Sequence, residues 1–139
     1  MRWLIILVAL IGFTAASLAL REHYRTETSP CSINEKWDCG MVNKSQYAVI
    51  QGIPVAVIGM AGYLLLCVLA FRKSWRLLAA AAIPALAFSL YLANIEAHVL
   101  EVWCIYCVIS LTAISIIALL SIIMLIKDLM GRRSHAHAH

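Results

Sequence analysis

Four stretches of the chain are almost unbroken runs of apolar residues, and the polar and charged positions crowd into the gaps between them. The runs cover Trp3–Leu20, about Ile53–Phe71, about Leu77–Ile95 and about Val102–Ile126. Each is close to the roughly 20 helical residues that cross a hydrocarbon core. An open sheet in lipid would leave backbone groups without partners, so the runs predict helices. The pattern therefore predicts an all-α integral membrane protein, a four-transmembrane-helix bundle. The whole of 1–139 reads as one membrane domain with an outer loop over 21–52 and a tail over 127–139. Arg2 ahead of an apolar run also resembles a signal peptide. The run is long for that role and no clean A-x-A site follows it, so a retained helix is expected.

Composition agrees with the pattern. The chain is 63% hydrophobic and 13% charged over 139 residues. Soluble domains average about 45–50% apolar and about 25% charged. The net charge of +4 is not a nucleic-acid signature, because the basic residues form no stripe interleaved with aromatics. It is a topology signal instead. Arg2, Arg72, Lys73, Arg76, Lys127, Arg132 and Arg133 share one side of a four-span arrangement with the single acid Asp128. The other side mixes Arg21, Arg25, Lys36 and Lys44 with Glu22, Glu27, Glu35, Asp38, Glu96 and Glu101. Cytoplasmic flanks are enriched in Lys and Arg, so both termini are expected in the cytoplasm. The loop 21–52 and the short turn near His98–Trp103 then face outward.

That side carries the candidate chemistry. Of five cysteines, Cys31 and Cys39 fall in the outer loop, and Cys104 and Cys107 at the outer start of the fourth run. Both pairs face the compartment in which disulfides form and persist. The C-x-x-C at Cys104–Cys107 places two sulfurs on one helical face, one turn apart. The unpaired N–H groups and positive dipole end of a helix start favour the thiolate, which is the attacking species in exchange. Cys104 is expected nearer the water and Cys107 deeper. The same spacing also suits a structural disulfide, or half of a zinc site completed by Cys31, Cys39, His23 or His98. Cys31 and Cys39 read either as a loop staple or as a mobile pair that exchanges with a soluble protein and with Cys104. Two pairs on one face favour exchange.

Other residues carry less. Cys67, in mid-span, reads as a small core residue. Pro84 is expected to kink the third span. Tyr91, Asn94 and Glu96 are unusual at membrane depth, where polar groups face a cavity or partner. Asn94 is expected to line a pocket, while Glu96 fits the headgroups equally well. Trp3, Trp75 and Trp103 fall at span ends, as an aromatic belt requires. The alternating His and Ala of Ser134–His139 read as a disordered, solvated tail. No small-xxx-small helix face stands out.

The motifs together resemble the vitamin K epoxide reductase family in its bacterial, disulfide-forming branch. The resemblance rests on Cys31-x7-Cys39, on Ser45 six residues further on, on Tyr47 and Gly52-Ile53-Pro54-Val55-Ala56, and on Trp103-Cys104-Ile105-Tyr106-Cys107. It covers roughly Cys31–Ser110. It implies a bundle of four helices around a quinone head group, capped by the cysteine loop, with a short half-helix or half-buried segment over Ser45–Ile53. It implies that Cys31 exchanges with a partner's cysteine, that Cys39 passes electrons to Cys104, and that Cys107 faces the quinone with Ser45 near the ring. Animal members carry Tyr four residues after the C-x-x-C, where this chain has Leu111, which points to a plain quinone of the ubiquinone, menaquinone or phylloquinone type rather than an epoxide. Many bacterial members carry a fused thioredoxin-like domain. Here the 139 residues hold none, so the expected partner is a separate extracytoplasmic thioredoxin-fold protein at a bacterial inner membrane. The rival four-helix quinone-linked oxidases carry their C-x-x-C in the first outer loop. A membrane carrier of a soft metal ion and an inert structural subunit are the readings from other classes.

Overall fold

A computed structural model describes residues 2–24, 37 and 49–137, with side chains through 133. Its elements are α1 (Arg2–Tyr24), β1 (Val49–Ile50), β2 (Ile53–Pro54), α2 (Val55–Phe71), α3 (Trp75–Ile95), a wide π-type turn (Glu96–Leu100) and α4 (Ile105–His137). Three helical segments are long and apolar enough to cross a membrane: Arg2–Tyr24, Trp75–Leu100 and Ile105–Arg133. The 17-residue α2 is apolar but shorter, at the lower limit for a span. The chain is an integral membrane protein. Side chains such as Leu7, Leu64, Leu77, Leu90 and Leu119 stay exposed because lipid, not water, is their solvent.

Lipid tails are as apolar as leucine, so burial alone cannot join these helices, and close backbone approach does more of the work. The buried stripe of α1 is made of Val8, Ala9, Gly12, Ala15, Ala16 and Ala19. Gly12 with Ala16 and Ala15 with Ala19 have the small-xxx-small spacing, so the expectation that no such face stands out is corrected: this face packs inside the bundle. α1 packs against α2 and α4, and α3 packs chiefly against α4 and more lightly against α2. Ile5, Leu66, Leu78, Ile114 and Ile117 fill the centre of the core. Cys67 is half-buried against that cluster, as a core residue should be.

The α2–α3 connection is built from its own backbone. Lys73 takes the left-handed conformation at φ 58. Its N–H then reaches Ala70 O at 3.1 Å, and the Ser74 N–H reaches Leu69 O at 3.0 Å. This closes the last turn of α2 and reverses the chain. Ser74 caps α3, its carbonyl accepting from Leu78 N at 2.8 Å. Arg72, Lys73 and Arg76 are left exposed at that end, which Arg2 shares through its guanidinium over the Phe71 ring.

Two expectations need correcting. The described part of the predicted half-helix is a β-hairpin, with Val49 opposite Pro54 and Ile50 opposite Ile53. Gln51 (φ 51) and Gly52 (φ 82) are both left-handed, the pair of conformations that a two-residue hairpin turn demands and a helix forbids. The tail is not irregular through Ser134–His137 either, because α4 continues to His137. No proline stops it, and Asp128 pairs with Arg132 one turn on at 3.4 Å.

Candidate functional site

A cavity of about 390 Å3 lies in the half of the bundle that carries the C-x-x-C and is bounded by all four helices. Ala15, Ala16 and Ala19 form the α1 wall, and Gly59, Gly62 and Tyr63 the α2 wall. These residues are small, so helix packing leaves space here that larger side chains would close. Phe88, Leu92 and Pro84 line it from α3, and Leu111 and Ile114 from α4. At the end beside the C-x-x-C the wall turns polar, with Glu96, Trp103, Tyr106 and Cys107. A mostly apolar chamber with a few polar groups at one end suits a flat, apolar head group that carries oxygen atoms at its rim.

The two cysteines of the C-x-x-C have different surroundings. Cys104 is fully buried and does not border the cavity, whereas Cys107 is half-buried and does. Their thiols are within hydrogen-bonding reach of each other. The exposed surface of Cys107 thus opens onto the cavity, whereas Cys104 is closed off from it. Val102 and Cys104 form a small cluster of their own, packed on by Leu100, Ile105 and Tyr106, which shields the first sulfur.

Glu96 organises this end. The wide turn after α3 directs the Glu101 and Val102 N–H groups back to the Glu96 carbonyl, Val102 at 3.2 Å. Glu101 itself is left-handed at φ 55, so the chain reverses immediately and delivers Cys104 beside the acid eight residues before it. The Glu96 carboxyl is 4% exposed. Its Oε2 accepts the Cys104 N–H at 3.4 Å, and the carboxyl is also a hydrogen-bond partner of the Cys107 thiol. Glu96 thus stands at the N-terminus of α4, where N–H groups lack helical partners and a negative group is favoured. A headgroup-reaching side chain is ruled out by this burial.

Asn94, expected in the pocket, points away from it. It is exposed, while Leu92, Ala93, Ile95 and Glu96 line the cavity. The cavity face of α3 follows the helical repeat through Ala85, Phe88, Ser89 and Leu92, and Asn94 falls outside that stripe. Leu111 does line the cavity. Cys31, Cys39 and Ser45 lie outside the described residues. Trp37, between the two loop cysteines, is described, and its backbone forms a parallel bridge with Trp103. Among the described residues no three His, Cys, Asp or Glu side chains are grouped to hold a metal ion.

A family model describing the vitamin K epoxide reductase family matches residues 3–122, a stretch that contains both cysteine pairs and every wall of the cavity. The chain belongs to that family. No individual curated protein gave a significant match. The vitamin K epoxide reductase family is one of quinone-linked membrane oxidoreductases, and the protein is an oxidoreductase. The cavity fits a quinone ring in size class and polarity, and the family's cysteine motif opens onto it at Cys107. Trp103 and Tyr106 were legible only as members of the C-x-x-C motif, and Tyr63 was not legible as a site residue at all. Tyr63 sits in an apolar run with no motif around it, and only packing brings it to the wall.

Proposed function

We propose that the protein is a quinone-dependent thiol–disulfide oxidoreductase that reoxidises a thioredoxin-fold partner on the extracytoplasmic side of a bacterial inner membrane. A reduced partner gives two electrons to the Cys31–Cys39 disulfide through a mixed disulfide at Cys31. Cys39 then attacks the Cys104–Cys107 disulfide at Cys104, and Cys31 displaces Cys104 to restore the loop disulfide. The reduced pair is reoxidised by the quinone, which takes two electrons and two protons from Cys104 and Cys107. Ser45 belongs to the quinone-facing set together with Leu111.

The observation that supports this order is the Trp37–Trp103 backbone bridge. Cys39 is two residues beyond Trp37, and two residues of chain span at most about 7 Å. Cys104 directly follows Trp103. The bridge supports exchange of the loop pair at Cys104, which does not border the cavity, and leaves Cys107, which does, to the quinone. Leu111 supplies no hydroxyl to an epoxide oxygen, which favours a plain quinone.

The test is quinone reduction, followed by absorbance, with purified protein and a reduced thioredoxin-fold oxidase. Turnover should collapse in Cys31→Ala, Cys39→Ala, Cys104→Ala and Cys107→Ala and survive Cys67→Ala. Full turnover in Cys107→Ala would overturn the mechanism.

A further inference from the structure

The C-x-x-C motif accounts for the electrons of quinone reduction but not for its protons. Reduction of a quinone by two thiols forms one S–S bond, breaks two S–H bonds and makes two O–H bonds. Both protons must cross a largely apolar chamber. Cys107 touches that chamber, and Cys104, fully buried, does not. Bulk water is therefore a poor carrier for the step, and an ionisable group in the cavity wall is needed.

We propose that Glu96 is the catalytic proton carrier of the quinone-reducing step, receiving the proton of the Cys107 thiol and delivering it to a quinone oxygen. The inference rests on the quinone-linked reading above. Glu96 is the one carboxyl among the described residues that borders the cavity. It is buried, its carboxyl is a hydrogen-bond partner of the Cys107 thiol, and the Cys104 N–H fixes its position at 3.4 Å. The titratable groups at this end of the bundle are Cys104 just ahead of α4, Tyr106 and Cys107 of α4, Tyr63 of α2, Glu22 and His23 in the last turn of α1, and His98 and Glu101 shortly after Glu96 in the chain. Of these, Tyr63, Tyr106 and Cys107 border the same cavity, and Tyr63 is tied to Ser110.

The balance is as follows. The Cys107 S–H bond breaks and its proton moves to the Glu96 carboxylate. As the Cys104–Cys107 bond closes, two electrons leave the sulfurs for the quinone, and Glu96 gives its proton to one quinone oxygen. The second proton leaves the Cys104 thiol and reaches the other oxygen through the same carboxylate. Glu96 ends ionised, as it began, and the net change is two thiols and a quinone to a disulfide and a quinol.

The test separates proton carriage from architecture. Glu96→Gln keeps an oxygen to accept the Cys104 N–H and removes the carboxyl. It should lower quinone reduction by about 10²-fold or more, the range that positioned acid–base groups supply. Oxidation of the reduced C-x-x-C by a diffusible aromatic disulfide, without quinone, sends electrons out through sulfur alone. That rate should stay within about threefold of the parent protein, read by mass of the alkylated Cys104–Cys107 peptide, and Glu96→Asp should recover part of the quinone rate. Unchanged quinone reduction in Glu96→Gln would overturn the proposal, as would parallel loss of both reactions. If Glu96→Gln does not fold, Glu96→Ala is assayed with added acetate, where a rise in turnover supports the proposal and no rise overturns it. Failure of the quinone-linked reading is distinct, because the parent protein itself would then reduce no quinone.

Discussion

The Tyr63 hydroxyl of α2 lies 2.7 Å from both the carbonyl oxygen and the Oγ of Ser110 in α4. It donates to the carbonyl and accepts from the serine hydroxyl. Ser110 is three residues after Cys107, and both residues line the cavity with Tyr63. One polar side chain of α2 therefore fixes the distance between the cavity's far wall and the helix that carries the reactive sulfur. In lipid no water competes for these groups, yet measured interhelical bonds average only about 0.6 kcal/mol. Tyr63→Phe should accordingly cost about 0.5–1.5 kcal/mol in a thermal or denaturant melt. It should raise the KM for quinone several-fold and leave oxidation of the reduced C-x-x-C by a diffusible disulfide unchanged. An unaltered KM would show that the tie does not shape the cavity.

The ring of Tyr63 also lies against Gly12, where an added Cβ would run into its Cε1 and Cζ atoms. Glycine here permits the α1–α2 approach. Gly12→Ala should destabilise the protein by about 1–3 kcal/mol, as overpacking of a tight contact does. Gly131, in the exposed end of α4 with nothing within 4 Å of its Cβ position, is the control. Gly131→Ala should be neutral or stabilise by up to about 1 kcal/mol through helix propensity. Equal effects in the two melts would remove the packing argument.

The exchange order makes two trapped species specific to two variants. In Cys107→Ala the back-attack of Cys107 on the Cys39–Cys104 disulfide is lost and only Cys31 can open it, so this disulfide should be enriched over the parent protein under oxidising conditions and appear in peptide mass spectra. In Cys104→Ala the loop pair has no outlet, and a mixed disulfide between Cys31 and the partner should appear on non-reducing gels. A Cys31–Cys104 species in the first variant would reverse the roles of the loop cysteines.

Asn94 is exposed and off the cavity, whereas Leu111 is on its wall. Asn94→Ala should leave quinone turnover within about twofold of the parent. Leu111→Ala should raise the KM for quinone by about tenfold, since losing a buried leucine contact of this kind costs about 1.5–3 kcal/mol when complete. The reverse ranking would place the head group on the other face of α3.

Orientation is testable without activity. The Arg72–Lys73–Arg76 turn and Lys127, Arg132 and Arg133 should lie in the cytoplasm. A reporter active only outside the cytoplasm should be silent when fused after His139 and active when inserted in the loop between Tyr24 and Val49. Activity at the C-terminal fusion would invert the assignment of both cysteine pairs.

The apolar runs and the C-x-x-C are properties of local sequence, and they sufficed for a membrane protein of four apolar helices with the C-x-x-C at the start of the last. The end of α2 at Phe71 was legible because the charged Arg72 and Lys73 close the apolar run. The hairpin was missed because Gln51-Gly52 is a turn only when both residues turn left-handed, and glutamine carries little signal for that. Tertiary structure decided the rest. Which of Asn94 and Glu96 faces inward depends on helix rotation, and two polar residues two positions apart cannot share a face. That Glu96 reaches Cys104 and Cys107 depends on one wide turn and one left-handed residue, Glu101, whose side chain announces neither. The Tyr63–Ser110 tie and the Trp37–Trp103 bridge join segments far apart in the chain. Periodicity reports how a helix meets its solvent, and it carries no information about which helix stands opposite.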